Sequence, residues 1–361
     1  MSTRKPIILI VTSHEELGHV AETLSNAIKK NGTHNVVIIS DDKYAGYGKK
    51  TRFNLDDKIY ALAERYQENK ENKNKEKAGK SKVKGRVRRI RNAVLRFNPS
   101  CIVTVTTKAH YIVCETKKQV KFNCPIIDVV NSFIIKKNYV NDETNAYIVD
   151  NQEEKQALIQ LGVTPKDVLV MGLPYFADKK TPLEIESLKQ DLGLPKITTV
   201  LAYFKGMKMD TEIFNLLIDQ GRICNIVAFI PSSQTSELRK IIDIKKATNI
   251  QIVTSQDEID KYLSVSDIVV TNLDYALIYK SFQQGKPVIC HDPKEEEELS
   301  FLLSKGLIMR ANEPIDVVDC LYSMLQTNKK ESLINAASKW VELADVDNIA
   351  NYIAAYINTD D

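Results

Sequence analysis

The chain has 361 residues, 43% hydrophobic and 27% charged, with a formal net charge of +3; that is enough for two domains with separate cores and excludes a disordered or fibrous protein. No apolar run approaches the roughly 20 residues that span a bilayer, and the opening MSTRKPIILIVTSHEELGHV has a short, strand-like apolar run followed by acidic residues instead of a secretory leader, so a cytoplasmic location is expected. The cysteines at 101, 114, 124, 224, 290 and 320 lack Cys-x-x-Cys spacing and lie mostly in apolar runs, which reads as buried free thiols and not as disulfides or a metal centre.

Residues 6–12 form a continuous apolar run, as a strand covered on both faces requires. A loop then leads to an expected helix at 18–31, with Val20, Leu24 and Ile28 four apart, and to a second strand at 36–40. This opening is Rossmann-like, but its loop lacks Gly-x-Gly-x-x-Gly, which disfavours a dinucleotide. Asp41, Asp42, Gly46 and Gly48 suggest a turn before a helix from about residue 56. The run QENKENKNKEKAGKSKVKGR is too polar to pack and reads as a mobile helix extension or loop.

Charge is concentrated at residues 70–96, where twelve Lys and Arg face only Glu71 and Glu76, leaving the rest of the chain acidic. Val83, Val87, Ile90, Val94 and Phe97 recur there at alternate spacings of four and three, the pattern of a basic amphipathic helix. Its apolar stripe is expected to pack on the sheet. Lys80, Lys82, Lys84, Arg86, Arg88 and Arg89 are candidates to meet anionic lipid heads or another polyanion.

Further buried strands are expected at 101–106 and 125–130, with a helix between them from about 109, then a strand at 146–150, an Asn-capped helix at 151–161 and a strand at 168–171. An irregular connection at 175–182 and a helix at 183–192 lead to a second α/β half. Its strands are expected at 198–202, 226–230, 250–253, 268–271 and 287–290, with helices from about 233 and 257 and a helix-length stretch before Gly285. An acidic helix start follows His291, and helices at 314–327, 331–343 and 346–357 close the chain. Ligands of parallel α/β sheets bind beyond the carboxyl ends of the strands, so residues 271–275 and 291–295 are expected at the site.

Several landmarks carry a resemblance: Gly18-His19 with Ala21 and Leu24; YIVDNQEEKQALIQLGVTPKDVLVMGLP with Gly172 and Pro174; Gly206-Met207; and Asp267, Thr271, Gly285, Pro287 and Glu295. In this register the chain resembles the sugar-nucleotide transferases that make lipid-linked peptidoglycan precursors and galactosyl or glucosyl diacylglycerols. The resemblance implies the GT-B architecture, α/β with two Rossmann-like domains facing a cleft. It assigns 1–174 to an acceptor-side domain containing the basic segment 70–96, 175–195 to a linker, 196–343 to a donor-side domain, and 344–361 to a helix crossing back to the first domain.

It also implies His19 as the catalytic base, with Gly18 and Asn131 beside it on the acceptor side. An imidazole at a helix start suits that role because its ordinary pKa lies near physiological pH; the alternative is a histidine that only orders its loop. Donor binding falls to Lys205, Gly206, Thr271, Asp274, Lys280 and Glu295. Several of these are departures. Ala202, Tyr203 and Phe204 replace the first three glycines of the family's pyrophosphate turn, Asp274 and Tyr275 replace its glycine pair, Lys280 its ribose-binding Glu, and Asn131 an acidic residue. Side chains with a Cβ bar the close backbone approach that glycine permits, which implies weak binding of ordinary UDP-sugars.

The activity implied is transfer of a sugar from a nucleotide donor to a lipid or other cytoplasmic-face acceptor, peripherally at the inner face of the membrane. No metal or other cofactor is required, because cationic side chains and helix N-termini can stabilise a leaving diphosphate. The alternative is a catalytically inactive GT-B-fold binding or partner protein, since fold alone does not carry function. A modifier of polyanions or nucleic acid is a third reading, with no base-reading motif behind it.

Overall fold

Strands buried on both faces need continuous apolar sequence, and IILIVT meets that requirement: all six residues of β1 (Ile7–Thr12) are buried. The computed structural model describes residues 5–13, 18–41, 73–175, 180–206, 208–291, 296–341 and 344–358. The expected turn after Asp41, the helix from about 56 and Glu295 lie outside these residues. The chain divides into two compact units, Met1–Tyr175 with Leu343–Asp361, and Phe176–Glu342.

In the first unit β1 is followed by α1 (Gly18–Lys30), β2 (Asn35–Ser40), α2 (Lys73–Phe97), β3 (Cys101–Thr104), α3 (Thr107–Val120), β4 (Ile126–Val129), β5 (Ala146–Val149), α4 (Gln152–Gln160) and β6 (Val168–Val170). The sheet is parallel in the order β2-β1-β3-β4-β5-β6. The strand order reverses between β1 and β3, so the loops leaving those two strands open the crevice where such sheets bind ligands. The amphipathic stripe of α2 does pack inward: Val87, Ile90 and Val94 join Leu9, Val11, Ile102 and Ile112 in one core. Helix α3 starts at Thr107, two residues before the sequence expectation, because the Thr106 hydroxyl accepts the Ala109 amide at 3.1 Å and caps it.

The second unit runs α5 (Pro182–Asp191), β7 (Thr198–Tyr203), α6 (Lys208–Ile218), β8 (Cys224–Phe229), α7 (Thr235–Lys245), β9 (Ile250–Val253), α8 (Ile259–Val265), β10 (Ile268–Thr271), α9 (Tyr275–Gln283), β11 (Val288–Cys290), α10 (Glu296–Ser304), β12 (Ile308–Arg310), α11 (Pro314–Gln326) and α12 (Lys329–Trp340). Its parallel order, β12-β11-β10-β7-β8-β9, is the doubly wound Rossmann order with the switch point between β7 and β10. The edge strand β12 was not expected from sequence, since three residues give no periodicity to read; it pairs with β11 in parallel register. The core holds Val200, Ala202, Ile226, Ile268, Val270 and Ile289 among others. Gly285, at φ +66°, ends α9 in the left-handed conformation that glycine adopts without strain. Lys286 then donates to the carbonyls of Ser264 and Ser266, at 3.1 and 2.6 Å, and fixes the turn into β11.

The last helix, α13 (Val346–Asn358), belongs to the first unit. It lies on α1, with Ile349 and Ile353 buried, Lys30 Nζ 3.0 Å from Asp347 Oδ2 and the Asn31 amide donating to Asn351 Oδ1 at 2.8 Å. The α/β fold with two parallel sheets is therefore as the sequence implied.

Candidate functional site

At the switch point of the second unit, parallel register aligns Thr271 with Tyr203 on one side and Cys290 on the other. The chain leaving those three strands presents Lys205, Gly206, Asn272, Asp274 and His291 at one end of the sheet. The structure thus gathers four residues expected in the donor site: Lys205, Gly206, Thr271 and Asp274. Lys205 Nζ lies 3.1 Å from Asp274 Oδ2, with the lysine a third exposed and the aspartate buried. Asp274 also caps α9, its Oδ1 accepting the Leu277 amide at 2.9 Å. Where the resembling transferases have glycines, this chain already holds a carboxylate at the positive end of a helix.

Gly206 is at φ +92°, and a Cβ there would come 3.2 Å from the Gln234 side-chain nitrogen, so both conformation and space favour glycine. Its amide donates to Asp210 Oδ2 at 2.8 Å, which ties the loop to the first turn of α6. Asp210 Oδ1 lies 3.9 Å from His291 Nδ1, too far for a hydrogen bond. His291 is fully buried against Phe204, and burial pushes its pKa down to about 4, so the ring is neutral at physiological pH. Both of its ring nitrogens, Thr271 Oγ1 and Asn272 Oδ1 are buried without a hydrogen-bond partner among the described residues. Such orphans are rare, and a ligand or water is one way to complete their bonding. His291 and Asn272 were not singled out from sequence; only the stretch containing His291 was.

Lys280 is placed differently. It sits in the second turn of α9, buried, and its Nζ donates to Asp260 Oδ1 on α8 at 2.7 Å. Asp267, another landmark, precedes β10 at the opposite edge of the sheet, where its Oδ2 accepts the Thr199 amide at 2.9 Å and Lys189 Nζ at 3.1 Å. A groove of about 650 Å³ runs along that amino-terminal edge past Pro182, Lys189 and Asp267. Lys189 pairs there with Asp267 and Lys196 with Glu186.

In the first unit, Gly18 and His19 form the first turn of α1, beyond the carboxyl end of β1. Asn131 follows β4 and accepts a hydrogen bond from Tyr175 Oη. Of the basic residues on α2, Arg86 is buried with its Nη1 3.1 Å from Asp41 Oδ2, and Arg89 Nη1 donates to the Asp41 carbonyl at 2.7 Å. Lys84 and Arg88 are exposed, as are Arg91, Arg96 and Leu95, the last at 64%. Lys80 and Lys82 lie in the first half of the same helix. No helix among the described residues is long and apolar enough to cross a membrane, and no group of His, Cys, Asp and Glu among them is arranged to hold a metal.

The family model of monogalactosyldiacylglycerol (MGDG) synthase matches residues 18–175. The chain is 25% identical over 258 residues to the processive diacylglycerol beta-glucosyltransferase of Staphylococcus aureus N315, a match spanning 68% of this chain and 64% of that protein. It is 23% identical over 349 residues to the enzyme of the same name from Bacillus pumilus, spanning 91% and 89%. Among solved structures it resembles S. aureus MnaA with UDP (TM-score 0.66, 13% identity, 98% and 97% of the two chains) and Neisseria meningitidis UDP-GlcNAc 2-epimerase with UDP-GlcNAc (0.65, 12%, 98% and 100%). Anabaena HepE with UDP and glucose is similar at 0.55 and 14%, covering 98% and 100%. The resemblance to diacylglycerol glycosyltransferases and to the GT-B fold is thus found by independent comparison as well as by motif.

Proposed function

We propose that this protein is a GT-B glycosyltransferase that moves a hexosyl group from a nucleoside-diphosphate sugar to a diacylglycerol-type lipid. The observation that carries the reading is the set of buried polar groups at Thr271, Asn272 and His291 that have no hydrogen-bond partner among the described residues, beside Lys205 and at the switch point of the second sheet. The names of the relatives, and the UDP held by structural neighbours, support the donor and acceptor classes.

In such a transfer the acceptor hydroxyl loses its proton, its oxygen bonds to the anomeric carbon, and the bond from that carbon to the diphosphate breaks with the electron pair leaving on phosphate oxygen. His19 is the first-unit group suited to take the proton. Lys205 and the amino end of α9 are the second-unit groups suited to the leaving charge. The exposed cations of α2, with Leu95 among them, suit a protein that works on the anionic inner face of a membrane.

A second reading, a binding protein of the same fold without transferase activity, draws on the carboxylate of Asp274 at the end of α9 and on the engagement of Lys280 by Asp260. The test uses purified protein, diacylglycerol in anionic vesicles and a panel of UDP-, GDP- and CDP-hexoses, with the lipid product weighed by mass spectrometry. A hexosyl-diacylglycerol from one donor is expected. Nucleotide binding with no glycolipid from any donor would overturn the transferase reading in favour of the second. In the same vesicles attachment should weaken as salt rises, because surface charges are screened over a Debye length of about 8 Å at physiological ionic strength; equal binding to neutral and anionic vesicles would remove the membrane role of α2.

A further inference from the structure

A polar network lies wholly inside the first unit and contains none of the residues given a role above. Asp128, within β4, is fully buried; its Oδ1 accepts the Thr104 hydroxyl from β3 and its Oδ2 accepts Tyr139 Oη at 2.6 Å. His110 on α3 is buried beside it, with Nδ1 4.0 Å from the same Oδ2 and Nε2 2.7 Å from Thr144 Oγ1. The imidazole also lies against the rings of Tyr139 and Tyr147, at 5.3 and 5.9 Å between centroids. A carboxylate inside a strand is costly unless hydrogen bonds satisfy it. A strand needing only a core would continue the pattern of its neighbours Ile127 and Val129.

The network ends in one place. Tyr139 and Thr144 both belong to the connection 130–145 between β4 and β5, and so does Asn131. That connection leaves the carboxyl end of β4, the same end of the sheet from which β1 leads to His19. Two hydroxyls therefore pin the connection that begins at Asn131 to a buried pair, Tyr139 partway along it and Thr144 where it re-enters the sheet at the start of β5.

We infer that His110 and Asp128 are positioning residues that clamp the connection 130–145 and thereby hold Asn131 in place for the diacylglycerol acceptor. The inference rests on the acceptor class proposed above. Burial lowers the His110 pKa, while the Asp128 carboxylate and Cys114 beside it together outweigh burial and raise it to about 9.

The test removes the tethers without touching the strand. Tyr139→Phe deletes the bond to Asp128, Thr144→Val deletes those to His110 and Cys114, and both keep most of the side-chain volume. Each variant is compared with wild type for calorimetric binding of a short-chain diacylglycerol, KM for both substrates, and hydrogen exchange of residues 130–145. Faster exchange in that connection and roughly tenfold weaker diacylglycerol binding are expected, with KM for the sugar nucleotide and the melting temperature held. Thr144→Ser, which keeps the hydroxyl, should restore binding. Unchanged diacylglycerol affinity in both deletions, or equal losses for both substrates accompanied by a lower melting temperature, would overturn the inference. Wild type that binds diacylglycerol but transfers nothing refutes the transferase reading alone, and the affinities still decide the clamp; wild type that binds no diacylglycerol overturns both.

Discussion

Asp274→Asn should tighten the binding of UDP, and the structure gives the size of the effect. Asparagine caps a helix about as well as aspartate, so the bond from the Leu277 amide, 2.9 Å in the native protein, survives and α9 stays in place. What changes is the charge facing Lys205, whose Nζ is now 3.1 Å from a carboxylate oxygen. A phosphate oxygen taking up Lys205 at hydrogen-bond distance would sit about 6 Å from that carboxylate. With the lysine a third exposed and the aspartate buried, an effective dielectric of about 20 applies, and two like charges so separated repel by about 3 kcal/mol. Removing one of them should therefore tighten UDP by up to about a hundredfold by calorimetry at low salt, with the gain shrinking as salt rises. Lys205→Met should weaken UDP in the native background and cancel most of the gain in the double variant. Unchanged or weaker UDP binding by a normally melting Asp274→Asn protein would refute the assignment of Lys205 and the start of α9 to the diphosphate.

Three other outcomes are expected. His19→Ala should lower turnover by about 10²–10⁴-fold, the range for a general base, and leave the melting temperature unchanged; a large drop in melting temperature would show that the histidine orders its loop. Asp41→Asn should destabilise the first unit by about 3 kcal/mol, because it removes the carboxylate charge facing the buried guanidinium of Arg86, and a loss below about 1 kcal/mol in denaturant unfolding would show that the pair is not isolated from water. His110 binds its proton more tightly folded, at about 9, than unfolded, at about 6.5. Its contribution is therefore whole below pH 6.5 and lost as pH rises through 9; stability measured from pH 6 to 9.5 should fall more steeply for wild type than for His110→Gln, and equal slopes would contradict the raised His110 pKa.

The pattern of elements was legible in the chain because it is a local property. A strand buried on both faces declares itself as an unbroken apolar run, as at residues 7–12, and α2 declares its inner face through Val87, Ile90 and Val94. The landmarks Gly206 and Gly285 stand at left-handed backbone positions that few residues accept. The end of the second sheet that bears the candidate site followed from parallel α/β order alone.

What the chain did not disclose is which side chains answer one another. Lys280 meets Asp260, 20 residues away; Arg86 meets Asp41, 45 away; Asp128 meets Thr104 and Tyr139 across two strands. A lysine or arginine in a basic run looks the same in sequence whether it faces water or a buried carboxylate, because periodicity assigns a face but not the partner packed against it. His291 and Asn272 became visible as candidates only once β7, β10 and β11 were aligned, since a polar group is unsatisfied only relative to neighbours that the long-range packing brings, or fails to bring, within reach.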